Sequence, residues 1–532
     1  MSRLQHFEPI ETSSMQTFGS QINREQQRHR MLLTGASLLF LALILIELLI
    51  NTFNRGTCCF DDASFAVLAK NLAAGEGYLL SLDYSNLNHQ GSLFHPALGT
   101  GPSTIVWGAA AIRIFGNAPW IPGMALIAFN AALTCLSAVL ISRKSGHARA
   151  SAFTAMFTVL AISITTMHHE QWFAFLGELQ SYLLAFTAFV IAAYCHPRTS
   201  TFLVAGILLG ASFEAKELSA IYVIPLGSMA LYVAIRSSAV KPRSPQETRR
   251  WLTLLATAAI GTLLPIALFE LYRWEALGSS GWLANWIEHT NFIRTQGTGS
   301  ASSTFDQLIQ ARAATFKERF NIGVGWLLAW GAFSAALTLW STQDAKVRSL
   351  TSLLVMAFFL HLGYWIFFSN GWPRYSFNAV LYGCALICMP ILYVKRGELP
   401  IPALLSIITW CALVHSSITG YIVDVWLPTV RSVSSTTVTE AQKQLEVQNF
   451  LASYSGIIYA PWWAHIASQE YLGAGHGRFT AITPATLNDK GLLLIDRHLP
   501  LPDSDDYIRL SKRCTTLKLF YRRYEILSCR AE

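Results

Sequence analysis

Charge is scarce in this chain. Only 13% of its 532 residues are Asp, Glu, Lys or Arg, whereas 52% are hydrophobic. A soluble globular protein carries about 25% charged residues, so a water-soluble fold is excluded for most of the length. A polytopic membrane protein takes its place. The net charge of +8 is modest and sits in basic loops, which gives no footprint for nucleic acid. The polar tail 1–30 lacks a short apolar core followed by a small-residue cleavage pattern, so the first apolar run reads as a retained span. Compact metal-ligand spacings are also missing: His89, His95, His168 and His169 match none. Of the nine cysteines, Cys135, Cys195, Cys384, Cys388 and Cys411 are scattered through apolar runs, where they read as packing residues.

What is present is a series of apolar runs near ~20 residues, separated by basic loops. The runs fall at about 31–50, 120–141, 150–165, 176–194, 202–213, 220–235, 251–271, 323–340, 350–368, 377–394 and 401–422. That is eleven spans, with thirteen as the alternative count. Lys and Arg recur in 143–149, 198, 236–250, 346–348 and 395–396, which places those loops and the tail 1–30 in the cytoplasm. An odd number of spans puts residues 423–532 outside. Two long loops, 51–118 and 272–320, then lie on that same outer face. Within the first, Ala63–Ala74 and Ser103–Phe115 read as helices closed by Gly75 and Gly116.

The chemistry-bearing residues gather at the outer face. Asp61 and Asp62 follow the first span directly. A charge near lipid costs about 2.5 to 3.5 kcal/mol at a helix centre, so ionisable groups there are functional candidates; an Asp pair is also a good helix N-cap. Lys216 interrupts the run after Phe213, and a half-buried Lys needs a partner. Glu214 or Glu217 would serve, and the sharper alternative is a lipid-linked phosphate. Glu178 opens the run at 176 as a cap, as a substrate-orienting group, or as the partner of Arg374 or Lys216. Arg374–Tyr375 enters the run at 377. Arg offers a planar fork that matches phosphate, while Tyr beside Trp372 also suits an interfacial anchor. A cavity with both signs of charge suits a site that binds an anion and handles a proton.

The C-terminal part reads as a small α/β domain. A helix is expected over Thr439–Ser453 and buried strands over Gly456–Ala460 and Gly491–Asp496. Phe520–Tyr524 reads as strand-like. Cys514 and Cys529 flank it and are expected to pair in an oxidising compartment.

Taken together, the order of these pieces resembles the GT-C glycosyltransferases, in particular the bacterial relatives of protein O-mannosyltransferases and of the lipid A aminoarabinose transferase. Asp61-Asp62-Ala63 with Phe65–Leu72 and the Gly75-Glu76-Gly77-Tyr78 close is similar to the family's first outer loop. His95-Pro96 stands where relatives often have a Lys. Gly177-Glu178 resembles a Gly-Glu-apolar-Pro motif in which Gln180 replaces the Pro. Ala215-Lys216-Glu217 and Trp372-Pro373-Arg374-Tyr375 resemble the family's Lys-Glu and Arg-Tyr motifs.

The resemblance covers about 31–395. It implies a polytopic α-helical membrane protein with a periplasmic C-terminal α/β domain, held in a bacterial inner membrane. It implies inverting transfer of a sugar from a polyprenyl-phosphate donor to a hydroxyl of a protein, a lipid A or a glycan. Asp61 would be the general base, with Asp62 beside it. Arg374, Tyr375, Lys216 and His95 would hold the donor phosphate, while Glu178, Glu217, His89 and His169 would orient substrate. The resemblance fixes no cofactor, and a divalent metal is compatible. The rival class is a flippase for a lipid-linked sugar. Transporters often carry internal repeats around a midplane site, and no repeat relates the halves here.

Overall fold

The computed structural model describes residues 12–57, 60–80, 93–95, 101–164, 177–216, 245–292, 305–319, 323–342, 344–369, 371, 373–393, scattered positions in 404–415, and most of 421–531. Long helices dominate the first four hundred residues: α1 (Thr12–Arg55), α2 (Phe60–Ala74), α3 (Pro102–Phe115), α4 (Ile121–Ser145), α5 (His147–Ile164), α6 (Glu178–Tyr194), α7 (Thr199–Ala215), α8 (Pro245–Phe292), α9 (Phe305–Arg319), α10 (Val324–Ser341), α11 (Ala345–Phe367) and α12 (Phe377–Cys388). Among the described residues, α1, α4, α8 and α11 contain stretches long and apolar enough to cross a membrane, and α3, α6, α7 and the 377–392 segment are shorter apolar helices. The protein is a multi-pass membrane protein. The expected spans 220–235 and 401–422 fall wholly or largely outside the described residues.

The bundle core is built on α6 and α12. All but one of the described α6 residues are buried, and every α12 residue is. Helices buried all round need neighbours on every side, and α6 is packed by α4, α7, α11 and α12. Helices α7 and α8 meet most closely. A Cβ on Gly206 or Gly210 would lie 2.2 Å from a backbone carbonyl of α8. The Gly206-x-x-x-Gly210 spacing lets the two backbones touch, as small residues do in lipid, where apolar burial supplies no drive for helix association.

One expectation changes. The run at 251–271 does not end there. The chain stays helical past 271, but the axis breaks at Gly278, φ 67° and ψ 172°, and a second helical segment runs from there to Phe292, folded back so that Trp282 and Trp286 reach Glu270. Leu, Ala, Glu and Arg in Leu271–Leu277 favour helix, so the segment after 271 starts as a helical extension rather than a loop.

Helix α2 ends as its sequence requires. Gly75 takes φ +86°, its N–H donates to Leu72 O and Glu76 N donates to Asn71 O. This is a Schellman close, which favours glycine at that position. The chain then pairs back on itself: Leu79 bridges Leu93, and Phe94 N donates to Tyr78 O at 2.9 Å. His95 is thereby set beside the start of α3.

The C-terminal part is the expected α/β unit. Helix α13 (Leu427–Ser434) leads to α14 (Glu440–Ala452), which starts with a capping box between Thr439 and Gln442. Strands β1 (Ile457–Ala460), β2 (Phe479–Ala481), β3 (Gly491–Asp496), β4 (Cys514–Phe520) and β5 (Tyr524–Cys529), with α15 (Asp505–Lys512) before β4, form one sheet in the order β2-β1-β3-β5-β4. β1 runs parallel to β2 and β3; β5 runs antiparallel to β3 and β4.

Cys514 and Cys529 face each other in register and form a disulfide. Phe520–Tyr524 is not one continuous strand. It is the hairpin turn between β4 and β5, with Tyr521 at φ 51° and Arg522 at φ 58°. Two left-handed residues make the turn that matches strand twist. Neither is the Gly or Asn that would have marked it.

This domain and the first long loop share a single core. Phe65, Val67 and Leu68 of α2 pack with Ile105 of α3 and with Val447, Leu451, Ile458, Leu492 and Ile526. Both therefore stand on one face of the bundle. The basic ends of the helices, Arg143-Lys144, Arg198, Arg249-Arg250 and Lys346, stand on the other.

Candidate active site

Glu178 is the first residue of α6, entered through Gly177 at φ +83°, and Lys216 is the first residue beyond α7. Adjacent antiparallel helices bring the start of one beside the end of the other. Lys216 Nζ lies 3.3 Å from Glu178 Oε1, with side chains 8% and 7% exposed. Lys216 thus meets the Glu at the opening of α6. Neither Glu178 oxygen has a hydrogen-bond partner among the described residues, so charge alone holds that side of the pair. Below it, Ser212 Oγ donates to Ser181 O at 2.7 Å, and Asn378 Nδ2 donates to Ser181 Oγ at 3.1 Å. These bonds lock α6, α7 and α12 together directly under the charged pair.

A narrow cavity opens beside it, lined by His95, Gly101, Glu214, Glu270, Arg273 and Trp286. Gly101 is forced there: a Cβ would stand 2.0 Å from Glu214 O. The strand-like return at 93–95 and the start of α3 thus close over the end of α7. His95 and Glu214 are each 6% exposed and Arg273 is 7%. Arg273 donates to Glu270 Oε1 at 3.2 Å, while Trp282 and Trp286 donate their indole N–H to Glu270 Oε2 at 2.7 and 2.8 Å. The guanidinium lies over Trp286 and Phe94, 5.2 and 5.8 Å from the ring centroids. Its Nε has no hydrogen-bond partner among the described residues. Glu270 thus already balances the guanidinium's charge, and Nε is the donor left over.

The acidic pair opens α2: Asp61 is its second residue and Asp62 its third. Asp62 is 8% exposed. It acts on Tyr471 of the C-terminal domain, whose phenol is pushed well above its usual value, first by burial and then by the Asp62 carboxylate. Further along α2, Lys70 Nζ donates to Tyr471 O at 3.0 Å and to Gly473 O. The C-terminal domain therefore grips the helix that carries the acidic pair.

Tyr375 is half-buried in the 3₁₀ turn Pro373–Ser376, which also contains Arg374. His89, His169 and Glu217, and the side chains of Asp61 and Arg374, lie outside the described residues. The structure brings His95 together with Glu214 in one cavity and Lys216 together with Glu178 in one pair, on the face that bears α2. Among the described residues, no three of His, Cys, Asp or Glu stand together to hold a metal ion.

Sequence reasoning missed Glu270, Arg273 and Glu47. The first two fall near the nominal end of a span, where a Glu and an Arg three apart look like an interfacial pair. Their signal is Gly278, where the helix breaks and the chain folds back, with the i, i+4 spacing of Trp282 and Trp286 beyond it turning both indoles to the Glu. Glu47 sits inside the first span, 2% exposed, accepting from Asn51 Nδ2 at 3.4 Å. A carboxylate inside an apolar run was itself the signal.

No family matches the chain by sequence, and no curated protein does. Solved structures do match in fold. ArnT from Cupriavidus metallidurans bound to undecaprenyl phosphate superposes with a TM-score of 0.55 at 11% identity, over 93% of this chain and 98% of that one. The same protein in the apo state gives 0.53 at 12% identity, with the same coverage. The fold of this chain is that of the GT-C glycosyltransferases.

Proposed function

We propose that the protein is an inverting glycosyltransferase that moves a sugar from a polyprenyl-phosphate carrier to a hydroxyl acceptor at the periplasmic face of a bacterial inner membrane. The observation that carries this reading is the buried cavity of mixed charge, His95 and Arg273 with Glu214 and Glu270, beside the Glu178–Lys216 pair, on the face that bears Asp61 and Asp62. The bound undecaprenyl phosphate of ArnT, which has this fold, supports a lipid-phosphate donor.

The topology follows from the basic helix ends on the opposite face, which are cytoplasmic by the positive-inside rule. Eleven spans then place 423–532 in the periplasm as a domain. The shared core with the first loop and the Cys514–Cys529 disulfide support an oxidising side.

Chemistry assigns the roles. Arg374, Tyr375, Lys216 and His95 hold the donor phosphate, with Arg273 adding a permanent charge where His95 stands in place of the relatives' Lys. Asp61 takes the proton of the acceptor hydroxyl as its oxygen attacks the anomeric carbon. The bond from that carbon to the phosphate oxygen breaks, and its electron pair leaves on the phosphate. A phosphate leaving group needs charge stabilisation more than a proton, so one base suffices. A positioned base is worth roughly 100- to 10,000-fold. Asp62 orients Asp61 and is itself set by Tyr471. Glu178, Glu217, His89 and His169 orient the substrates, Glu178 by fixing Lys216. No cofactor enters these steps, and a divalent metal is compatible with them.

The test is a transfer assay in membranes with extracted polyprenyl-phosphate sugars, labelled product being traced by mass spectrometry. Wild type is compared with Asp61→Asn and Arg374→Ala. Product from wild type alone supports the reading. Full transfer by Asp61→Asn removes the base, and sugar-lipid crossing vesicles in all three proteins without product replaces the transferase by a flippase.

A further inference from the structure

A second charged cavity lies at the far end of α6. It has a volume of about 300 Å³, and Arg143, Lys144, His196 and Arg198 line it together with Leu140. Helix α6 has 17 residues, so at 1.5 Å per residue this cavity is about 25 Å from Glu178, on the opposite face of the bundle. The volume is at the small end for ligand sites, which suits a headgroup.

The loop that forms one wall is pinned from outside. Lys346 Nζ donates to Tyr194 O at 2.8 Å, and Arg250 Nη2 donates to Pro197 O at 3.2 Å. The bonds to these two carbonyls hold His196 and Arg198 towards Arg143 and Lys144. Asp344, whose carboxylate acts on Tyr194, is turned to cap α11 and accepts from Lys346 N at 2.8 Å. Among the described residues, no carboxylate lines the cavity.

Basic residues at this face are expected in any membrane protein, and by themselves they carry nothing. Here the cations form one cavity, and an apolar surface lies beneath it. Leu136 and Val139 of α4 are 43% and 49% exposed. Leu136, Val139, Leu140 and Arg143 follow at i, i+3, i+4 and i+7, one stripe of the helix. An apolar track therefore leads out of the bilayer directly to a cationic cavity.

We infer that this cavity binds an anionic phospholipid of the cytoplasmic leaflet, its headgroup phosphate among Arg143, Lys144 and Arg198 and its acyl chains along Leu136 and Val139. Clustered basic residues at the cytoplasmic side recognise lipid phosphates in this way. The leaflet rests on the topology proposed above; the binding chemistry does not depend on the transferase reading. A free anion would use the cations and ignore the apolar track.

The test is native mass spectrometry of the full chain in detergent, titrated with phosphatidylglycerol and with phosphatidylcholine of the same acyl chains. One phosphatidylglycerol is expected to stay bound where phosphatidylcholine is stripped. Each cation is worth roughly fivefold, so Arg143→Gln with Arg198→Gln is expected to weaken binding roughly thirtyfold, with an unchanged melting temperature and unchanged sugar transfer. Should that pair fail to fold, Leu136→Gln with Val139→Gln is the second arm, expected to weaken the lipid as well. Equal retention of both lipids, unaltered affinity in the variants, or displacement by millimolar inorganic phosphate overturns the assignment.

Discussion

Lys216 and Glu178 meet at 3.3 Å across the break after α7, both below one-tenth exposed. Removing one partner of a buried ion pair costs about 3 to 5 kcal/mol. Lys216→Met and Glu178→Gln are each expected to lower the melting temperature in detergent substantially. The double variant is expected to recover part of that loss. A double variant no more stable than the worse single would show that the two residues do not act as a pair.

Arg273 is the next test. Arg273→Lys keeps the charge and loses the fork over Trp286 and Phe94. Arg273→Gln loses both. Hydrogen bonds to charged groups contribute about 1.5 to 3 kcal/mol. The donor KM is therefore expected to rise at least tenfold in Arg273→Gln and less in Arg273→Lys, read from transfer rates against donor concentration. An unchanged KM in both variants would take the phosphate away from this cavity.

The disulfide closes a sequence separation of 15 residues. A loop of that size is worth about 3 kcal/mol in the chain-entropy account. Cys514→Ser with Cys529→Ser, or treatment with reductant, is expected to expose the β4–β5 hairpin to protease at lower temperature. Peptide mapping that found both thiols free in untreated protein would rule the bond out.

Alkaline pH should act through Tyr471. Burial, then Asp62, raises its phenol, so the folded state holds the proton more tightly than the unfolded chain does. That contribution is fully present below the unfolded value near 10 and is lost as pH climbs above it. Melting temperature is expected to fall above about pH 10 in wild type and to fall less in Tyr471→Phe. The same variant should lose about 1 kcal/mol at neutral pH with the Tyr471 Oη donation to Ala118 O. Parallel alkaline curves for the two proteins would exclude Tyr471 as the source.

Much of this arrangement was legible from local rules. Gly75 sets the end of α2 and Thr439 the start of α14, because caps and closes are decided within one turn of chain. That Lys216 needs a partner followed from lipid energetics. Which Glu it meets did not, since that depends on how α6 and α7 lie together. Arg273 was hidden for a different reason. Hydropathy ends a span where the apolar residues end, while the helix runs on to the kink at Gly278 and a second helical segment folds back from it. The turn at Tyr521–Arg522 was unreadable because neither residue is one that favours a left-handed backbone, and the disulfide and strand pairing impose it from outside.

Gln444 grips Thr57 from both sides: Thr57 N donates to Gln444 Oε1 at 3.1 Å and Gln444 Nε2 donates to Thr57 O at 2.7 Å. Thr57 precedes the acidic helix by a few residues, and Gln444 belongs to a segment made hundreds of residues later. The two cannot meet until the ribosome has finished the bundle between them. The front of the proposed catalytic helix is therefore seated late in biogenesis. A nascent chain halted before α14 would have its first spans inserted, yet would lack the clamp that seats the start of α2. Such a chain would lack the proposed activity until the C-terminal domain docks.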